Sequence, residues 1–184
     1  QGKKLEELES LSAAKKANML FIVQDPYTSY YDAKVVRDFV ALTQKLGFEP
    51  ILLPFKPNGK AMHIKGFLAR FSKTAKTQSE FLNRVAKLNV PLVGVDPAIV
   101  LSYRDEYKEA LGDSRGDFHV LTAHEWLSNQ LESNTLQSAV KNIVKSDRTF
   151  EWHLFPHCTE STFMPNSPKE WQNIFAQFGQ TLNV

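Results

Sequence analysis

Met19-Leu20-Phe21-Ile22-Val23-Gln24-Asp25-Pro26 is the stretch on which the fold turns. Five apolar residues in succession, closed by a polar pair and a proline, describe a strand buried on both faces. A strand with one wet face would alternate polar and apolar side chains instead. Such a strand belongs in a parallel sheet with helices on each side. Downstream, Val35, Val36, Phe39, Leu42 and Leu46 share one face of a helix over 32–46, and Gly47 supplies its stop. Ile51-Leu52-Leu53 is the next strand, ended by Pro54.

The alternation continues. Residues 61–88 read as helix in one or two pieces, with Phe67, Leu68, Phe71, Phe81, Leu82, Val85 and Leu88 on the apolar side. Pro91–Val95 reads as a strand, and Asp96-Pro97 opens a helix that reaches Leu111. A short strand over 118–121, helices over 124–131 and 136–144, a strand over 152–155 and a helix over 168–178 complete the pattern. The expected fold class is α/β, a mainly parallel sheet with helices on both faces. Leu5, Leu8 and Leu11 predict a leading helix over 3–17, so residues 1–18 form a leading segment and 19–184 one α/β domain.

Composition narrows the function classes. The 184 residues suit one domain, and 13 Phe, 5 Tyr and 3 Trp exclude a disordered chain. No run approaches the ~18 apolar residues that a membrane span needs. The net charge of +2 is too even to imply nucleic acid as a partner. The basic stripe Lys60, Lys65, Arg70, Lys73 and Lys76 accordingly reads as a solvated or partner-facing surface. Cys158 stands alone, which excludes an internal disulfide and suggests a reducing, cytoplasmic compartment. With Gln1-Gly2 at one end and an incipient strand, Thr181–Val184, at the other, the expectation is a segment of something longer.

An internal echo is visible at an offset of 132 residues, where Phe39–Gly47 aligns with Trp171–Gly179. The same offset sets Gln24-Asp25-Pro26 beside Pro156-His157-Cys158. Either two β-α units are related by duplication, or two amphipathic helices merely end alike in glycine.

In an open parallel sheet, ligands collect beyond the carboxyl ends of the strands. Three such ends carry candidate chemistry: Gln24-Asp25-Pro26-Tyr27, Val95-Asp96-Pro97 and Pro156-His157-Cys158-Thr159-Glu160. At a helix start beside His157, the Cys158 thiolate would be favoured, and both nucleophilic and metal chemistry require thiolate. Three readings stay open for it: a small buried hydrophobe, a Cys–His nucleophile, or one metal ligand lacking its partners, since zinc and iron–sulfur centres take about four. The five histidines show no metal-binding spacing, and His153, within a strand, reads as a core residue. Arg104 and Asp105 suit either a buried network or a solvated helix face. Phe55–Lys60 is not a P-loop but a turn at Asn58-Gly59, and no Gly-x-Gly-x-x-Gly is present.

Four motifs carry a resemblance: Asp25-Pro-Tyr-Thr-Ser-Tyr-Tyr-Asp32, Leu53-Pro-Phe-Lys-Pro-Asn-Gly59, Val93-Gly-Val-Asp-Pro-Ala98 with Tyr103–Tyr107, and Phe155-Pro-His-Cys-Thr-Glu160. From Met19 to Val184 the chain resembles the carboxyl-terminal part of large bacterial FAD- and iron–sulfur-containing oxidoreductases of the D-2-hydroxyglutarate (formerly D-lactate) dehydrogenase-like branch. The resemblance implies upstream flavin and ferredoxin-like domains, and a cysteine-rich domain in which each of two repeats carries a strand-end Cys and a later Cys-Cys-Gly. On this sequence Cys158 matches the second strand-end Cys and is the implied metal ligand. The first repeat is degenerate near Gln24-Asp25 and Pro54–Asn58, and the second Cys-Cys-Gly would fall just beyond Val184. His157, Asp25, Tyr30, Asp96, Arg104 and Glu160 are implied to line the cofactor-facing edge. The implied parent passes electrons from a flavin to [4Fe-4S] clusters and an acceptor. This segment would then be an electron relay or acceptor-docking unit, with no cofactor and no activity of its own. The alternative is a structural domain that has lost metal binding.

Overall fold

The computed structural model describes residues 5–132, 136–143 and 150–184, and the statements that follow concern those residues. Two short helices, α1 (Leu5–Glu9) and α2 (Ala13–Lys16), lead into β1 (Met19–Val23). Next come α3 (Pro26–Tyr30), α4 (Ala33–Lys45), β2 (Glu49–Leu52), α5 (Lys60–Ile64), α6 (Leu68–Ala86) and β3 (Leu92–Gly94). They are followed by α7 (Pro97–Arg104), α8 (Glu106–Leu111), a 3₁₀ turn (Gly112–Arg115), β4 (Val120–Thr122), α9 (Ala123–Glu132) and α10 (Gln137–Ile143). The last elements are β5 (Glu151–His153), α11 (Cys158–Phe163), α12 (Ser167–Gln177) and β6 (Thr181–Asn183).

The class is α/β as the alternation predicted. Strands β2-β1-β3-β4 form one sheet in that order, all parallel. All five β1 residues are buried, and their parity assigns them to opposite cores. Met19, Phe21 and Val23 pack with Phe71, Leu82 and Val85 of α6, Val100 and Tyr103 of α7, and Tyr107 of α8. Leu20 and Ile22 face Val36 and Phe39 of α4, Trp126 and Leu127 of α9, and Ile174 of α12. Pro50 is accommodated because β2 is an edge strand, where a missing amide goes unnoticed.

Several boundaries move. The leading helix breaks in two, with Ser12 restarting it by accepting from the Lys15 amide at 3.4 Å. Residues 3 and 4 of that expected helix, and Val144 of the later one, lie outside the described residues. The helix expected from Asp96 to Leu111 divides at Asp105 into α7 and α8. The parallel strands fall into two sheets, because β5 pairs with β6 in a sheet of its own. His153 is exposed rather than in the core, as are both other residues of β5. Cys158 is exposed too, which removes the buried-hydrophobe reading.

The 132-residue offset extends to the backbone. Met19 pairs with Glu49 in the first unit, and Glu151 pairs with Thr181 in the second, the same register displaced by 132. Both units run strand, short helix, long helix, strand. Both long helices end in a left-handed glycine, Gly47 (φ +91°) and Gly179 (φ +67°). The same pair of bonds closes each: Gly47 N–H to Gln44 O with Phe48 N–H to Thr43 O, and Gly179 N–H to Ala176 O with Gln180 N–H to Phe175 O, each 3.0 Å. This is the Schellman closure that a left-handed C′ residue permits.

At the end of β3, Gly94 abuts α7 so closely that a Cβ there would lie 2.4 Å from Val100 Cγ2. Gly94→Ala is therefore expected to destabilise the fold by about 1–3 kcal/mol through overpacking, read from the urea midpoint. An unchanged midpoint would show that α7 does not press on β3.

Candidate functional site

Strand order reverses direction between β1 and β3, since β1 leads to β2 on one side and β3 on the other. Such a switch point leaves a crevice at the carboxyl ends of the strands. Asp25 follows β1 and Asp96 follows β3, and each starts a helix with proline at the first position. Asp25 is buried (2% exposed); its Oδ1 accepts from the Thr28 amide at 2.9 Å and its Oδ2 from the Thr28 hydroxyl. Asp96 Oδ1 accepts from the amides of Ala98 (2.8 Å) and Ile99 (3.3 Å). Burial raises the Asp96 carboxyl above its ordinary value, and the charge of Asp25 adds to that; the Ile99 and Ala98 amides and His157 oppose it.

The second unit delivers His157 to the same place, because α11 packs against α7. His157 occupies the position of Asp25 in the repeat and does the same work: its Nδ1 accepts from the Thr159 amide at 3.2 Å, capping α11. That bond leaves Nε2 as the protonated nitrogen of the neutral ring. Cys158 Sγ lies 4.0 Å from His157 Nδ1 and 4.0 Å from Thr159 Oγ1, open to solvent. Three strand ends chosen from sequence are thus brought to one edge.

Other chosen residues lie elsewhere. Arg104 ends α7, about 12 Å along the axis from Asp96 at 1.5 Å per residue. Tyr30 is exposed on α3 and meets Phe55 edge-on, at 5.4 Å between centroids. Glu160 turns inward and is 5% exposed.

Arg104 and Glu160 instead belong to a partly buried polar network. Arg104 grips Glu125 bidentately, Nη1 to Oε1 at 2.9 Å and Nη2 to Oε2 at 2.5 Å, and donates to Val120 O at 2.7 Å. Glu125 closes a capping box on Thr122: its Oε2 accepts from the Thr122 amide (2.8 Å), while its own amide donates to Thr122 Oγ1 (3.4 Å). Thr122 Oγ1 is 3.0 Å from His124 Nδ1. His124 is almost wholly buried, with Nδ1 3.6 Å from Glu160 and Nε2 3.2 Å from Glu170. Glu160 also accepts from the Ser167 hydroxyl. Thr122-x-x-Glu125 was the available sequence signal for this network; the pairing of His124 with Glu160 had none.

Burial would raise the Glu125 carboxyl, but the hydrogen bonds and charge of Arg104, with the Thr122 amide, hold it below its ordinary value. Burial lowers the His124 imidazole below 6.5, and Arg104 adds to the effect; Glu160, Glu170 and Glu125 pull the other way. The unfolded chain therefore takes up this proton more readily than the folded one. Stability is expected to be intact above pH 6.5 and to fall as pH drops below it. His119 is shifted in the same direction, again chiefly by burial. His124→Asn should thus reduce, without abolishing, the slope of urea midpoint against pH below 6.5. Identical slopes would contradict the assignment.

These features define a parallel α/β domain with an acidic switch-point edge, to which a second unit contributes His157 and Cys158. No family model matches the chain, and no solved structure matches it significantly. Curated relatives do. A D-2-hydroxyglutarate dehydrogenase of Haemophilus influenzae is 79% identical over 184 residues, covering 100% of this chain and 18% of that protein. The Escherichia coli protein of the same name is 58% identical over 178 residues, 97% of this chain and 17% of that one. That of Pseudomonas putida is 34% identical over 175 residues, 95% and 16% respectively. The chain is homologous along its whole length to one segment of the bacterial D-2-hydroxyglutarate dehydrogenases. It spans less than a fifth of those relatives' length.

Proposed function

We propose that the chain is an electron-relay or acceptor-docking unit of a larger FAD- and [4Fe-4S]-dependent D-2-hydroxyglutarate dehydrogenase, acting in the cytoplasm and inactive alone. The observation that supports this most is 79% identity to such a dehydrogenase across every residue of the chain. The substrate and the flavin chemistry are assigned to the remainder of that protein.

Neither cofactor fits the residues present. A cluster takes four thiolates, and this sequence has Cys158 alone. Among the described residues no three His, Cys, Asp or Glu side chains come together as a metal site. A flavin pyrophosphate would seek the N-termini of α3 and α7, but the carboxylates of Asp25 and Asp96 already occupy those anion positions and would repel it. What the chain's own residues do is hold the edge: two aspartates and a histidine cap three helices, and the third cap presents the Cys158 thiol outward.

A second reading, a structural domain without metal, draws support from the repeat, in which Asp25-Pro26 stands where the other unit has His157-Cys158. Cys158→Ala in the full-length protein separates the two. The relay reading expects reduced iron content and at least ~10-fold slower reduction of an artificial acceptor, comparable to the loss of a metal site's supporting contacts. Unchanged iron and unchanged rate would favour the structural reading.

A further inference from the structure

In the first unit β1 is paired on both edges. Its even-numbered residues bond toward β2, as in Leu53 N–H to Ile22 O at 3.0 Å. Its odd-numbered residues bond toward β3, as in Phe21 N–H to Pro91 O at 2.8 Å. The second unit repeats only the first half of this arrangement. Leu154 N–H donates to Asn183 O of β6 at 2.8 Å, and among the described residues β5 pairs with no other strand. By the repeat, Glu151 and His153 turn their backbone groups to the open edge. An unpaired strand edge is a template for a further strand.

Three of the side chains around that edge, Trp152, Leu154 and Phe155, are apolar and stand where β1's equivalents are buried. Trp152 occupies the place of Leu20 and remains 47% exposed, although its ring reaches Phe175 of α12 at 5.9 Å. Phe155, in the place of Val23, is 90% exposed. Trp152 and Leu154 share one face by parity; on the other, Glu151 and His153 are polar ahead of Phe155, and Asn183 donates to Glu151 across the sheet at 2.8 Å. An incoming strand would thus be amphipathic, apolar beside Trp152 and Leu154, polar beside Glu151 and His153.

We propose that the free edge of β5 receives such a strand, parallel and in the register of β3 on β1, from the rest of the full-length protein. The matched relatives hold more than four-fifths of their length outside this segment, which is the source of the strand. The inference does not depend on the redox reading, because its test measures neither iron nor activity.

Hydrogen–deuterium exchange on the full-length protein tests it. The expected result is that the amides of Glu151 and His153 exchange as slowly as that of Phe21, independently of protein concentration. His153→Pro, harmless on an open edge, should then lower the full-length protein's thermal midpoint. Rapid exchange at both amides, or protection that disappears on dilution because a second copy supplies the strand, would overturn the proposal.

Discussion

Residues Met19 to Val23 leave no face to water, because successive side chains enter opposite cores, and that constraint dictates the surrounding architecture. Helices must cover both sides, α6, α7 and α8 on one and α4, α9 and α12 on the other. A parallel strand so covered sits centrally, with β2 on one edge and β3 on the other, and its carboxyl end therefore opens at the switch point. Asp25 is there because the buried strand must end somewhere polar, and its carboxylate does so by starting a helix.

The repeat shows how a second site component is delivered. Unit two has the register, caps and helix closure of unit one, yet its strand has polar residues on alternate positions and is exposed throughout. It contributes a helix start rather than a core. Docking of α11 on α7 brings His157 to Asp96, whose carboxyl the ring in its protonated form would lower, and leaves the Cys158 thiol at the surface. The Arg104–Glu125–Thr122–His124–Glu160 network ties α11 of the second unit to α7, β4 and α9.

What could be read in advance followed from local rules. An apolar run of five announces a doubly buried strand, Asp-Pro announces a capped helix at Asp25 and Asp96, and a glycine after an amphipathic stretch announces Gly47 and Gly179. The spacing of 132 residues, ambiguous as letters, becomes a repeat once Met19–Glu49 and Glu151–Thr181 are seen to pair alike. Packing between distant segments was not readable. Arg104 meets Glu125 and His124 meets Glu160 only through tertiary contacts, and no spacing records them. His153 looked like a core residue because its strand resembles one; its exposure depends on which layers cover it.

The central claim is that strand ends from two units share one electrostatic site. Its most direct test is a ¹³C-carboxyl titration of Asp96 in the wild type, Asp25→Asn and His157→Asn proteins, since asparagine preserves each helix cap. The expected result is an Asp96 value above the ordinary 3.8, lowered by Asp25→Asn and raised further by His157→Asn. An Asp96 titration indifferent to both substitutions would contradict the account.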